Sequence, residues 1–125
     1  MVKKNVQVVL DKLGIAVFVI DKNRTVLFAN AMGRKLFGKG LTGKSFDAAV
    51  PDEKFLFIFD KVLNGQDSAS VDIMLPTTVP TLYRVTMTRF DGDGSNDPFR
   101  AAVSFEDISH VRDAQLMRSD FMEHL

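Results

Sequence analysis

The feature that most constrains the fold of this chain is a strand pattern that changes directly into a helix pattern near the C-terminus. Over residues 99–106, apolar side chains occupy every second position, which is the period of a strand with one apolar face. After Asp107-Ile108-Ser109, apolar side chains recur at three- and four-residue steps, the spacing of a helix that packs against a partner helix. The sequence therefore predicts a strand joined without a loop to a coiled-coil helix over residues 108–125.

The order of helix and strand patterns in the rest of the chain predicts the fold class. A short amphipathic helix precedes an apolar hairpin, short helices follow, and two further strands lead to the strand described above. Five strands with helices inserted between the second and the third predict an α+β domain, in which short helices cover one face of a five-stranded antiparallel sheet. The predicted helices span residues 3–14, 31–37, 46–50 and 51–63, and the predicted strands span residues 15–21, 25–29, 70–75, 81–90 and 99–107.

Two of these helices begin at recognisable capping signals. Asn30 is predicted to cap the helix over residues 31–37. Pro51 suits the first turn of the next long helix, and Asp52 and Glu53 lie where the positive end of its dipole favours acidic side chains. This is the most apolar helix of the chain, and its buried stripe is predicted to consist of Phe55, Ile58, Phe59 and Val62.

Charge and composition exclude several functional classes. The chain has 16 basic and 16 acidic residues, so no net field attracts nucleic acid or an anionic membrane. It contains no cysteine, which excludes disulfides, iron–sulfur clusters and cysteine nucleophiles and is typical of a cytoplasmic protein. Because no apolar run is long enough to span a bilayer, we expect no direct membrane insertion by this chain.

One segment matches a nucleotide-binding motif. Residues 38–45 fit G-x-x-x-x-G-K-[ST], the phosphate loop of nucleotide hydrolases, in which Lys44 would bind the nucleotide. That loop must follow a buried strand and open a long helix, whereas here a predicted helix precedes the segment and Pro51 soon follows it. We therefore interpret the segment as a turn, and a nucleotide-binding enzyme is the weakest functional alternative.

Three segments together resemble the PAS domain, a small sensor module of signalling proteins. They are GIAVFVIDKNRTVLFANAMGRKLFG over residues 14–38, LTGKSF over residues 41–46 and FEDIS over residues 105–109. The last segment resembles the Asp-Ile-Thr type motif at the exit of the family's domains, with Ser109 in place of the commoner threonine. The resemblance implies a PAS fold for essentially the whole chain.

The C-terminal segment carries a second resemblance. DAQLMRSDFMEHL, residues 113–125, resembles the helix that leads into the phosphoacceptor box of sensor histidine kinases. This implies that the chain ends one residue before the box, so that His124 is a helix position and not the phosphorylated histidine. The implied domains are an N-terminal helix over residues 1–14, a PAS sensor domain over residues 15–107 and a signalling helix over residues 108–125.

The two resemblances imply a non-catalytic sensor and relay domain of a bacterial sensor histidine kinase. Such a domain would be a homodimer that transmits a signal through its C-terminal helix to the kinase domains of the full-length protein. Through the parent protein, a phosphotransferase of a two-component system, it would act on a response regulator. The alternative left open by the sequence is a small-ligand module that regulates another output, such as a cyclase or a chemoreceptor.

Residues for signal coupling and for dimerisation follow from this expectation. Asp107, Ser109 and Arg112 are expected to couple the last strand to the signalling helix, Asp107 by capping that helix or by pairing with Arg112. The apolar stripe of the N-terminal helix is expected to pack against the same helix of a second subunit or against the sheet. The C-terminal helix is expected to pair through either of two overlapping apolar seams, and exchange between them could act as a switch. The dimer and stalk residues are Val6, Val9, Leu13, Val111, Ala114, Met117, Arg118 and Phe121.

A pocket for a small apolar ligand is a further expectation. The aromatic stripe of the long helix and the inward residues of the late strands are expected to form core, with a pocket lined by Phe55, Phe59, Arg84 and Val103 as the alternative. No metal or cofactor is predicted. The resemblance disfavours haem because residues 55–63 contain no histidine, and it disfavours photoactive flavin because the chain has no cysteine for the photoadduct.

Overall fold

A five-stranded antiparallel sheet is the centre of the fold. The computed structural model describes residues 4–50, 52–77, 79–90 and 98–109. The strands pair in the order second, first, fifth, fourth, third, and every neighbouring pair is antiparallel. The last strand therefore lies in the middle of the sheet, next to the first. The strands are β1 (Ala16–Ile20), β2 (Val26–Ala29), β3 (Ser68–Leu75), β4 (Thr81–Arg89) and β5 (Ala101–Asp107).

Helices from the segment between β2 and β3 cover the inner face of this sheet. They are α2 (Ala31–Phe37), a short 3-10 helix (Lys39–Leu41), α3 (Phe46–Ala49) and α4 (Glu53–Leu63), and α1 (Lys4–Asp11) precedes β1. α2 packs on β1, whereas α4 packs on β3 and β4. The predicted α+β class and its five-stranded antiparallel sheet are confirmed.

The predicted bounds differ from the observed ones in a few places. α1 ends at Asp11, before the predicted end at residue 14. α4 begins at Glu53, because the carboxylate of Asp52 accepts a hydrogen bond from the backbone N–H of Lys54 at 2.8 Å and caps the helix. The predicted loop over residues 38–45 contains the 3-10 helix. Pro51 and the predicted coiled-coil helix from residue 110 onwards lie outside the described residues.

Aromatic side chains fill the space between sheet and helices. Phe46 on α3 is fully buried, and its ring centroid lies 4.9–6.2 Å from those of five other phenylalanines. The predicted stripe of α4 is buried in the same core. Edge-to-face and tilted contacts of this kind add stability beyond the apolar area that they bury. The five neighbours of Phe46 are Phe18, Phe37, Phe55, Phe59 and Phe105.

Asn30, which is fully buried, joins three elements through its side chain. Its carbonyl oxygen accepts hydrogen bonds at 2.9 Å from the backbone N–H of Gly33, as the predicted cap of α2, and from that of Val17 on β1. Its amide nitrogen donates to the backbone carbonyls of Leu10 at 2.8 Å and Ile15 at 2.9 Å. A single amide therefore fixes the end of α1 and the start of β1 to the start of α2.

Gly33 in α2 is expected to tolerate no side chain. A Cβ atom there would lie 2.9 Å from two ring carbons of Phe18, which is fully buried. Alanine gains about 1 kcal/mol of helix propensity over glycine, but overpacking a core costs about 1–3 kcal/mol. We expect Gly33→Ala to lower the free energy of unfolding by up to about 2 kcal/mol in urea denaturation. Gly14→Ala is the control because its Cβ would meet nothing within 4 Å, and equal effects of the two substitutions would contradict the packing described here.

Candidate functional site

The last strand leaves the sheet through a joint formed by residues 107–109. One carboxylate oxygen of Asp107 accepts a hydrogen bond from the backbone N–H of Ser109 at 2.9 Å. The backbone N–H of Ile108 donates to the carbonyl of Leu82 at 3.0 Å, and the Ile108 side chain is buried. The first turn after β5 is thus held both by its own side chain and by β4. Arg112, the other predicted coupling residue, lies outside the described residues.

A cleft lies beside this joint, at one end of the inner face of the sheet. Its volume is about 320 Å³, near the lower end of the range for small-molecule sites. Strand register sets its floor, since Ala16 lies opposite Phe105 and Tyr83 lies opposite Asp107. α2 contributes the other wall. The lining residues are Gly14, Ala16, Met32, Lys35, Leu36, Tyr83, Phe105 and Asp107.

The cleft combines apolar walls with a phenol, an acid and a base. Burial raises the pKa of the Tyr83 phenol above its ordinary value of 10.0, and the negative charge of Asp107 raises this pKa further. Lys35 forms no ion pair with any residue that the structure describes. A few polar groups set in an apolar cavity are typical of a site for a small molecule with both polar and apolar parts.

Tyr83 provides a spectroscopic test of this geometry because it is the only tyrosine of the chain. We expect the absorbance of its ionised phenol to titrate above pH 10.0, and Asp107→Asn to lower that pKa by removing the negative charge. Since the folded state binds the phenol proton more tightly than the unfolded state, the stabilisation is complete below pH 10.0 and is lost as the pH rises through the raised pKa. Asp72→Asn on β3 is the control, and an equal shift in both variants would contradict the proximity of Tyr83 to Asp107.

Three of the four residues predicted to line a pocket lie together in the core, and the fourth lies on the opposite face of the sheet. Phe55, Phe59 and Val103 are fully buried and belong to the hydrophobic core. Arg84 lies on the outer face of the sheet, because it alternates along β4 with the buried Val85, and its guanidinium pairs with Asp72 at 3.1 Å. The core interpretation of the aromatic stripe therefore fits the structure, and the cleft is lined by different residues.

α1 exposes the apolar residues that were predicted for dimer contacts. None of its residues is buried, and Val9 is 62% exposed. The helix is held by polar contacts, in which Leu10 accepts from Asn30 and the Asp11 carboxylate accepts from the backbone N–H of Ala31 at 2.7 Å. Packing of this stripe against the sheet is not observed within the described residues. The predicted stripe residues Val6, Val9 and Leu13 are 44%, 62% and 39% exposed.

The structure describes the segment of the nucleotide motif but not the predicted stalk. The stalk residues Val111, Ala114, Met117, Arg118 and Phe121 lie outside the described residues. The motif segment, residues 38–45, follows a helix and precedes only the four-residue α3, so it lacks the strand and the long helix of a phosphate loop. Within this segment, the carbonyl of Lys44 accepts a hydrogen bond from β2, which is a structural role.

Of the residues that line the cleft, sequence reasoning singled out only Asp107 as a site residue, and the two long polar side chains that it missed are Tyr83 and Lys35. Tyr83 shares the inner face of β4 with Val85 and Met87, so strand alternation could have placed it there. Lys35 lies on α2, and no sequence pattern predicted its place in the cleft, because that place depends on how α2 packs on the sheet.

None of the helices that the structure describes is long and apolar enough to cross a membrane. Within the described ranges, no cluster of three metal-ligating side chains occurs.

Comparison with known proteins identifies the fold. No protein-family model matches the chain, and no curated protein sequence matches it significantly. Many solved structures do match. The PAS domain of Bordetella pertussis BvgS shares 17% identity over 98% of this chain and 97% of its own, with a TM-score of 0.65.

Two further structures extend this comparison. The photoactive yellow protein domain of the sensor histidine kinase Ppr from Rhodospirillum centenum shares 17% identity over 81% of this chain and 92% of its own, with a TM-score of 0.61. A PAS domain of a LuxR-family transcriptional regulator from Burkholderia thailandensis, in complex with ethanol, shares 18% identity over 86% of this chain and 99% of its own, with a TM-score of 0.61. At such low identity the likeness shows the fold alone. This chain has the fold of PAS domains.

Proposed function

We propose that this chain is a cytoplasmic, non-catalytic sensor, relay and dimerisation domain of a sensor histidine kinase. The observation that carries the proposal is the joint at residues 107–109, where the central strand β5 is fixed to β4 immediately before the C-terminal segment. A displacement of β5 at this point is passed on to whatever follows. The presence of a sensor histidine kinase domain among structures of similar fold supports the same function.

The relay begins at the cleft because Asp107 belongs to both the cleft and the joint. Its carboxylate faces Tyr83 across the strand pair and also accepts the N–H of Ser109. A molecule that binds in the cleft and contacts Asp107 competes with this hydrogen bond. Binding therefore shifts the balance between the conformations of the first turn of the C-terminal segment. The signal arises because the bound molecule contacts Asp107 more favourably in one of these conformations than in the other.

The dimer proposal rests on the two ends of the chain. α1 and the residues after it offer the exposed side chains Val6, Val9 and Leu13 for contact with a second copy. The sequence of the C-terminal segment allows two seams in a parallel helix pair, which share Ala114 and Phe121. One seam places Arg118 in the interface and the other places Met117 there, so the two packings differ by a small rotation of the helices. Exchange between two such packings is a bistable element of the kind that signalling needs.

Inter-subunit distances test this relay in the full-length protein. Because the chain has no cysteine, single spin labels can be placed at Ala114→Cys and Arg118→Cys without background from this domain. We expect the label distance at position 118, which only one seam places in the interface, to change when Asp107→Ala removes the acceptor at the joint, while the distance at position 114, which both seams share, changes less. Distances that are identical in both proteins would contradict the relay.

A second candidate function is a small-ligand module that regulates a different output. The cleft of about 320 Å³ favours it, as does the ethanol complex of a regulator with the same fold. Native mass spectrometry of protein purified from cells distinguishes the candidates, because it reports a bound small molecule and the number of subunits together. A bound molecule in a monomer would support the second candidate. An unliganded dimer would support the relay.

A further inference from the structure

A second groove lies on the other side of the molecule, between α4 and the edge strand β3. Its volume is about 350 Å³. Ala69 and Val71 from β3 and Ile58 from α4 form an apolar floor. It is separate from the cleft, since the two share no lining residue. The remaining lining residues are Lys54, Phe57, Lys61, Gln66 and Ser70.

β3 presents an open row of backbone hydrogen-bonding groups to this groove. It is the last strand of the sheet, so only its side towards β4 is paired among the described residues. The N–H of Arg89 donates to the carbonyl of its partner Asp67, at 2.9 Å. Because bonded and non-bonded pairs alternate in an antiparallel ladder, the backbone groups of every second residue point away from β4. With the observed register, these are Ser68, Ser70, Asp72 and Met74.

One position of this edge already accepts a peptide-like donor. The side-chain amide of Gln66 donates to the carbonyl of Ser68 at 2.8 Å. This is the bond that the backbone N–H of an added strand would make. The neighbouring outward groups at Ser70 and Asp72 continue the row in an 8-residue strand. The edge can therefore bind an extended chain by main-chain hydrogen bonds.

The α4 wall of the groove carries positive charge and an exposed aromatic ring. Phe57 is 58% exposed, although α4 buries Phe55 and Phe59 on its other side. The ammonium group of Lys61 lies 4.4 Å from the centre of the Phe57 ring. Lys54 lines the same wall, no acidic residue lines the groove, and neither lysine pairs with a described carboxylate.

We propose that this groove binds an extended acidic peptide segment of a partner protein, which adds to β3 as a sixth strand. Alternate side chains of such a strand lie on the α4 side. Acidic side chains there pair with Lys54 and Lys61, and an apolar one between them packs on Phe57. The intervening side chains lie on the outer face, beside Ser70 and Asp72. This surface is distinct from both ends of the chain that the dimer proposal uses.

An NMR titration of the 125-residue chain with a defined peptide tests the proposal. The probe is an acetylated eight-residue peptide in which threonine alternates with glutamate, phenylalanine, glutamate and valine. We expect the largest amide shifts at β3 and at Phe57, and weaker binding at higher salt because the charged contacts are exposed. The same peptide with lysine in place of both glutamates is expected to bind about tenfold more weakly.

Two variants separate the backbone contacts from the charged contacts. Ser70→Pro removes an N–H that points away from β4, so the ladder stays intact and binding is expected to weaken about tenfold. The double substitution Lys54→Glu with Lys61→Glu is expected to weaken binding of the acidic probe about tenfold and to improve binding of the lysine probe. Lys22→Glu in the exposed turn after β1 is the matched control and is expected to leave both affinities unchanged.

Three results would overturn this inference. The first is equal affinity for the acidic and lysine probes, and the second is a set of amide shifts that lies away from β3. The third is a chain that associates with itself through this edge, which would appear as a dimer that Ser70→Pro converts into a monomer. Unchanged melting temperatures of the variants establish that any loss of binding is local.

Discussion

Replacing Asn30 with alanine is expected to lower the free energy of unfolding by about 4 kcal/mol, because it removes four hydrogen bonds that a fully buried side chain makes to the backbone. The side chain makes four hydrogen bonds at 2.8–2.9 Å and is fully buried. Each buried group that loses its partner costs about 1–3 kcal/mol, and part of this cost is recovered if water enters the vacated space. Urea denaturation followed by circular dichroism measures the change.

Two companion substitutions sharpen this test. Asn30→Asp keeps the acceptor for the N–H groups of Val17 and Gly33 but sets an oxygen against the carbonyls of Leu10 and Ile15, so its effect is confined to the contacts on that side of the amide. Asn23→Ala in the exposed turn is the control and is expected to change stability by about 0.5 kcal/mol or less. A loss at Asn30 as small as that at Asn23 would show that the amide does not join these elements.

Phe46→Ala is expected to destabilise the protein by a similar amount, about 4 kcal/mol. Phe46 lies at the centre of the ring cluster, so its removal opens a cavity that the strands on one side and α4 on the other cannot easily close. The loss of contacts with Phe18 and Phe105 also loosens the inner face of β1 and β5. We expect a lower urea midpoint with an unchanged slope.

Phe57→Ala is the matched control for this core substitution. Both residues are phenylalanines in helices, but Phe57 is 58% exposed and Phe46 is fully buried. Alanine also has the higher helix propensity, so the effect at Phe57 is expected to stay within about 0.5 kcal/mol. Equal losses at the two positions would contradict the placement of the core.

Local signals account for the parts of the fold that the sequence predicted well. The cap at Asn30 and the end of α2 follow from interactions within a few residues of one another. The same side chain also binds Leu10 and Ile15, and this was not predicted because it depends on where α1 lies relative to α2. Hydrophobic periodicity likewise identified the buried stripe of α4, whereas the pairing of β1 with β5 joins distant parts of the chain.

The candidate site was predicted only where it coincides with a motif. Asp107 was identified from the strand-to-helix joint and its resemblance to the PAS exit motif, and its carboxylate accepts a hydrogen bond from the N–H of Ser109. Arg84 was placed with Phe55 and Phe59, although strand alternation puts it on the opposite face from Val85. The cleft itself needs the packing of α2 over Tyr83 and Phe105, which no local pattern encodes. Tertiary contacts therefore decide the shape of the site.

The central claim is that Asp107 couples the cleft to the segment after the joint. ATP-dependent autophosphorylation of the full-length protein tests it most directly, with Asp107→Ala, which removes the acceptor for the N–H of Ser109, compared against the unmodified protein and against Asp72→Ala. Asp72 is a suitable control because it is also a strand aspartate, and it pairs with Arg84 away from the joint. Melting temperatures of the variants establish that they remain folded.

The account predicts that Asp107→Ala changes the autophosphorylation rate by about fivefold or more, the lower end of typical coupling energies, while Asp72→Ala leaves the rate unchanged. If instead the folded Asp107→Ala protein autophosphorylates at the unmodified rate, the joint does not transmit the signal and the account is wrong.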